Sequence, residues 1–258
     1  MKMEINVDDI TAWVGDFFWP FIRLGALFAA APIFGARTVP IRARIILAVA
    51  VTVLIQPSLP LLPAIDPLSP RGLLIIFQQV VIGLSLAMIM QLIFSTLVMT
   101  GQMVATTMGL GFASTVDPQN GVQVTMLGQF YLIIATLFFL AFDGHLVLIR
   151  ILADSFTTLP IDGEFIDVQV FWGVANYTSE VLVSAVLVAL PIMLGVLLVN
   201  LAFGVMTRAA PQLNIFAVGF SLTILAGFVL MAISIPLLSP LLSNLFANGF
   251  GFMRAVVN

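Results

Sequence analysis

Cysteine is absent from this chain and histidine occurs once, at His145. Disulfides and thiolate metal sites are therefore excluded, and a lone imidazole cannot supply a zinc or haem cluster. Charge is equally scarce: 8% of the residues are Asp, Glu, Lys or Arg, against about 25% in an average soluble domain. The net charge of -3 is small, and the few basic residues are scattered, which leaves no footprint for nucleic acid. No G-x-x-x-x-G-K-[ST] pattern occurs, and the polar stretch from Asp143 to Glu180 is too short for a nucleotide-binding domain.

What fills the chain is apolar: 61% hydrophobic residues and a mean hydropathy of +1.19. Asp, Glu, Lys, Arg and His are missing from Gly72 to Thr115, Pro118 to Phe142, Val181 to Thr207 and Ala209 to Met253. Each run exceeds the roughly 20 residues needed to cross ~30 Å of hydrocarbon. The composition predicts an all-α integral membrane protein, in contact with lipid, with about six apolar helical segments. They run near 16–36, 44–62, 72–99, 122–142, 181–206 and 215–238. The N-terminus, with one lysine before four acids, reverses the pattern of a signal peptide and is expected to be retained as the first span.

This reading groups the chain as one membrane-embedded unit in three stretches. Residues 1–142 carry the N-terminal helices, with a loop at 101–121. Residues 143–180 form a polar connection in which HLVLIRILADSF predicts a short interfacial helix. Residues 181–258 form a helical hairpin and tail. Arg37, Arg42 and Arg44 follow the first segment and Arg208 follows the fifth, so the positive-inside rule places both turns in the cytoplasm.

The stretch GQMVATTMGLGFASTVDPQNG, Gly101 to Gly121, is too apolar for a surface loop and too irregular for a span. In hydrocarbon, broken backbone survives only where protein encloses it or a water-filled passage borders it. This points to a conduit with a loop inside it. Met88, Met90, Met99, Met103, Met108 and Met126 lie around the loop, as a deformable seal or as ordinary packing.

Arg23 lies about two turns inside the first span, where insertion scales assign a cost of roughly 2.5 to 3.5 kcal/mol. It either snorkels to an interface or finds a carboxylate or carbonyl on a neighbouring helix. Gln78, Gln79, Gln91, Gln102 and Asn200 read as interhelical glue or as a polar pathway lining. Gly83, Gly195, Ala202 and Gly204 suit close helix approach. Asp143-Gly144-His145 with Ser155 resembles part of a catalytic set, but no nucleophile elbow or second histidine accompanies it. Gly144 is expected to stop the fourth segment.

The motifs APIFGARTVPIRARIILA, GLGFASTVDPQNG, LGQFYLIIATLFFLAFDGHLVLI, the LPI at Leu159 to Ile161 and TRAAPQLNIFAVGF together resemble the FliR family, the R subunit of the flagellar type III export gate. The resemblance spans almost the whole chain. It implies a non-enzymatic subunit, with no cofactor, in the bacterial inner membrane at the flagellar basal body. It implies assembly with the P and Q subunits (FliP and FliQ), with FlhB bound at the base, around a passage for unfolded flagellar proteins. Such an assembly is raised out of the bilayer plane, so hydropathy reports burial rather than depth.

The family also implies a pore-closing loop, carried here by Met108, Gly109, Gly111, Phe112, Ala113, Ser114, Val116, Asp117 and Pro118. Glycines permit backbone shapes other residues cannot adopt, Phe112 and Val116 supply bulk, and Asp117-Pro118 begins a stiff return. A partner-contact turn is placed at Arg208, Pro211, Gln212 and Asn214. Arg208 there either neutralises partner carboxylates and helix C-termini or simply anchors the turn. Ser221 and Gln102 depart from residues common in relatives, and Asp143-Gly144-His145 favours the flagellar branch. A virulence-type secretion gate and, from another class, a secondary transporter of small solutes remain the rival readings.

Overall fold

The computed structural model describes residues 7–36, 38–60, 62–63, 65–110, 125–161, 163, 168–209 and 215–257. Seven α-helices account for most of them: α1 (Val7–Ala30), α2 (Ile41–Ile55), α3 (Pro70–Thr107), α4 (Met126–Ala141), α5 (Gly144–Thr158), α6 (Val168–Ala209) and α7 (Ile215–Val257). A 3-10 turn, Gln56–Ser58, closes α2. The all-α membrane class expected from composition holds. Among the described residues, 41–58, 70–107, 172–206 and 219–257 are long and apolar enough to cross a membrane. The apolar pair 126–141 and 144–158 brings the total to five if it counts as one broken span.

Several boundaries differ from the hydropathy reading, for one physical reason. Hydropathy windows end where polar residues begin, whereas a helix continues while its backbone bonds are made. α6 therefore starts at Val168 rather than near residue 181, and α7 runs to Val257 through Pro236 and Pro240. Gly101 to Thr107 belongs to α3, so the irregular stretch begins only after the helix ends. At 1.5 Å per residue the 38, 42 and 43 residues of α3, α6 and α7 reach roughly 57 to 65 Å. That is about twice the ~30 Å hydrocarbon core.

The helix stop between α4 and α5 is not Gly144. Asp143 adopts the left-handed conformation (φ 53°), while Gly144 is the buried first residue of α5. Aspartate tolerates that region better than most residues, and its carbonyl accepts from Leu146 and Val147 to start the next helix.

The chain divides into two compact units. The first comprises residues 1–92, 143–177 and 248–258. Its core is Trp19, Leu24, Leu27, Phe28, Ile82, Leu86, Leu148, Leu152 and Phe156. Gly83 lets α3 approach α1 so closely that a Cβ there would overlap the Arg23 carbonyl. The turn after α1 is closed by Arg44, whose Nε donates to Phe34 O (3.0 Å) and Nη2 to Ala36 O (3.3 Å).

The second unit comprises residues 93–142 and 178–247. Phe94 meets Phe139 and Phe246 edge to face, and the latter two are tilted against each other, with ring centroids 5.7 to 5.9 Å apart. Thr125 caps α4, its hydroxyl accepting from the Gly128 amide at 3.1 Å. Thr100 Oγ1 donates to Ala185 O (3.2 Å), tying α3 to α6, and Thr223 Oγ1 donates to Asn200 Oδ1 (2.7 Å), tying α7 to α6.

Candidate functional site

The C-terminal end of α3, within the second unit, is where the sequence places the root of the closing loop. Gly109 has φ +82°. Its amide donates to Thr106 O at 3.1 Å, and the Leu110 amide donates to Ala105 O at 2.9 Å. These two bonds, from the left-handed residue and its successor back to the last turn, form a Schellman cap. A side chain at Gly109 would be strained by that φ, and its Cβ would come 3.0 Å from the Phe220 ring. Met108 is fully buried and fills the notch over Gly227, where a Cβ would come 2.5 Å from the Met108 Cε. The helix is thus stopped by its backbone and held to α7 by one methionine.

One turn earlier, Met99, Gln102, Met103, Thr106 and Thr107 of α3 and Met193 of α6 line an open cavity of about 430 Å³. Thr106 Oγ1 donates to Gln102 O and Thr107 Oγ1 to Val104 O, both at 2.8 Å. Local bonds therefore engage the hydroxyls, and thioethers dominate the surface. Such a surface adapts in shape to apolar neighbours and offers no acid, base or nucleophile.

Of the predicted loop residues, the structure places Met108 and Gly109 at this cap. Gly111, Phe112, Ala113, Ser114, Val116, Asp117 and Pro118 lie outside the described residues, as do Pro211, Gln212 and Asn214. Arg208 is exposed in the last turn of α6, where a cation faces the negative end of the helix dipole. Asp143 is exposed, and the Ser155 hydroxyl is occupied, accepting from Arg23 Nη1 (2.8 Å) and donating to Leu152 O (2.6 Å). Among the described residues, no three His, Cys, Asp or Glu come together as a metal site.

The glue reading of the helix amides fits three of them. Gln79 Oε1 accepts from Arg23 Nε (2.7 Å), Gln91 Nε2 donates to Ala30 O (2.7 Å), and Asn200 accepts from Thr223. Gly195 faces Leu230, whose Cδ1 would stand 2.5 Å from a Cβ there and would have to shift, whereas Gly204 has open space around it. Of the alternatives for Arg23, a carbonyl on a neighbouring helix is what the structure shows, in Ser155 O and Leu159 O, whereas the Ser155 hydroxyl and the Phe156 ring were missed. The available signal was an arginine in an apolar helix, which requires acceptors from somewhere.

Comparison with known proteins identifies the family. A family model described as "Bacterial export proteins, family 1" matches residues 14–249. The flagellar biosynthetic protein FliR of Pectobacterium carotovorum subsp. carotovorum is 38% identical over 255 residues, covering 99% of this chain and 97% of that protein. FliR of Escherichia coli (strain K12) is 36% identical over 256 residues, covering 99% and 98%. The surface presentation of antigens protein SpaR of Shigella sonnei is 27% identical over 164 residues, covering 62% of each. Matched over nearly its whole length by both the family model and the first two relatives, the chain belongs to the FliR family of bacterial export proteins.

Proposed function

We propose that this chain is the non-enzymatic R subunit of a flagellar type III protein export gate. It joins FliP and FliQ in a helical assembly in the bacterial inner membrane, at the flagellar basal body, with FlhB at its base. Unfolded flagellar proteins pass through, and residues 108–118 close the passage at rest. The observation that carries this reading is similarity to flagellar FliR proteins over 97 to 98% of their length. The match to a surface presentation of antigens protein covers 62% of each chain, which favours the flagellar role over the virulence-type one. Helices twice as long as the hydrocarbon is thick suit a subunit embedded in other proteins better than a solo carrier.

Deletion of the gene is expected to abolish swimming and filament growth. Expression of the intact chain is expected to restore both. Motile deletion cells that had lost only host-directed secretion would move the assignment to the virulence branch. In mild detergent the chain is expected to purify with fixed amounts of two other small apolar proteins. Recovery of the chain alone, with solute flux in liposomes, would instead mark a secondary transporter.

The turn at 208–214 is proposed to meet partner subunits at the cytoplasmic mouth. Arg208 is exposed at a helix C-terminus, so Arg208→Glu places a like charge against that negative end as well as against partner carboxylates. Recovery of the assembled complex on native gels is expected to fall about threefold to tenfold, matching a loss of roughly 1 kcal/mol. Normal complex yield with normal filaments would return Arg208 to plain anchoring of the turn.

A further inference from the structure

Arg23 is a fully buried cation on α1, and its partners in the first unit are all neutral. Nε donates to Gln79 Oε1 (2.7 Å), Nη1 to the Ser155 carbonyl and hydroxyl (both 2.8 Å), and Nη2 to the Leu159 carbonyl (2.9 Å). The guanidinium carbon stands 4.0 Å over the Phe156 ring. Among the described residues no carboxylate pairs with it. Removing one partner from a buried charge is costly, so the way this charge is held matters to the fold.

Its counter-charge is a helix end. Ser155 lies in the last turn of α5 and Leu159 is its C-terminal cap. The Ser155 carbonyl also accepts from the Leu159 amide (3.0 Å), and the carbonyls at this end together carry the negative end of the dipole. The planar fork of the guanidinium reaches both carbonyls at once, while its face stacks on Phe156. Gln79 supports this arrangement at its own expense: its amide oxygen accepts from Arg23 while its Nε2 stays buried without a partner.

These acceptors arrive late in the chain, 132 and 136 residues after Arg23. Without α5 in place, α1 carries a guanidinium among Trp19, Leu24, Leu27 and Phe28, with Gln79 alone to receive it. We propose that Arg23 is a charge latch that makes docking of α5 and burial of α1 a single event. Undocking α5 strips Arg23 of three of its four acceptors and drives α1 toward water. A chain with α5 misplaced is thereby opened at its N-terminal helix as well.

The latch makes a prediction that mere space-filling does not. Arg23→Leu removes the charge, so α5 loosens while α1 stays content in apolar surroundings. Arg23→Lys keeps the charge but loses the fork, so α5 and α1 loosen together.

The lack of native cysteine allows a test with single thiols in the full chain, assembled in membranes with its complex. Ile161→Cys, two residues beyond the α5 cap, and Leu27→Cys, one turn from Arg23, both replace side chains at most 1% exposed. Maleimide labelling of each is compared with the same cysteine variant carrying native Arg23. With R23L, labelling of the I161C chain is expected to rise about tenfold and that of the L27C chain to stay unchanged. With R23K, both are expected to rise, by roughly threefold or more. Unchanged labelling of the I161C chain in R23L would overturn the latch. If R23L does not accumulate, R23K decides: a rise at both positions supports it, and a rise at I161C alone, or at neither, overturns it. The labelling reads the fold and not export, so its outcome is independent of the proposed function.

Discussion

Deletion of residues 109–114 is expected to raise ion leakage through the assembled gate by about tenfold or more, because an apolar constriction blocks ions by excluding water and is either dry or wet. The deletion removes Gly109, Gly111 and Phe112 but leaves residues 115–124 to join Met108 to Thr125. That remnant suffices. Gly101 of α3 lies against Gly128 of α4, so the two helix ends lie within a few turns of a common crossing point. Ten residues can extend roughly 33 Å or more, so the shortened connection need not pull the helices out of place. Complex yield should therefore be close to normal, and the leak would report the passage, not misfolding.

Phe112→Ala is expected to leak less than the deletion, since the rest of 109–114 remains and the segment keeps its full length. Conductance unchanged in both variants, measured on the purified complex in planar bilayers, would remove the loop from its proposed role. A third outcome, a leak from the alanine variant as high as that of the deletion, would assign the block to one aromatic side chain and not to the segment.

The sequence was most legible where a single residue type has a single physical use. Runs without charge announced membrane-class helices, whereas the arginines that marked the turns belong to helix ends: Arg42 and Arg44 lie in the first turn of α2 and Arg208 in the last turn of α6. It was least legible where the outcome depends on a distant element. Nothing near Arg23 signals that its acceptors are the last carbonyls of a helix more than 130 residues away. Local rules also competed. Gly144 looked like the stop for α4, but Asp143 took the left-handed position and left the glycine to begin α5. Pro236 and Pro240 look like breakers, yet α7 continues through them. In apolar surroundings a helix keeps every backbone bond still available, because no water would replace one that is lost. Of the candidate site, the backbone freedom of Gly109 was readable, whereas its place at the end of α3, well past the end expected near residue 99, was not, and the methionine seated over Gly227 depends on a helix more than 100 residues later.

Gly101 shows the same limit most sharply and leads to the largest expected loss of stability. In the sequence it opens an irregular, glycine-rich stretch, and a loop glycine accepts alanine readily. In the structure it sits inside α3, where a Cβ would come 2.6 Å from the Gly128 Cα, the Gly128 nitrogen and the Leu127 carbonyl oxygen. All three are main-chain atoms of α4, so no side chain can rotate away, and the two helices must separate to admit a single methyl group. Overpacking of this kind costs about 1 to 3 kcal/mol, and more where backbone must move. Alanine's higher helix propensity returns only about 0.5 to 1 kcal/mol. Gly204→Ala supplies the control, because it gains the same propensity in α6 with nothing within 4 Å of the new Cβ. The expected result is opposite signs: G204A unchanged or slightly more stable, G101A markedly less stable and poorly recovered in the complex. Thermal unfolding midpoints in mild detergent would decide it, and equal midpoints for the two variants would mean that α3 and α4 do not cross at Gly101. The consequence reaches the passage as well. Spreading α3 from α4 displaces both stems of the 111–124 segment, so G101A complexes that do assemble should leak ions even though every residue of the proposed closing loop is intact.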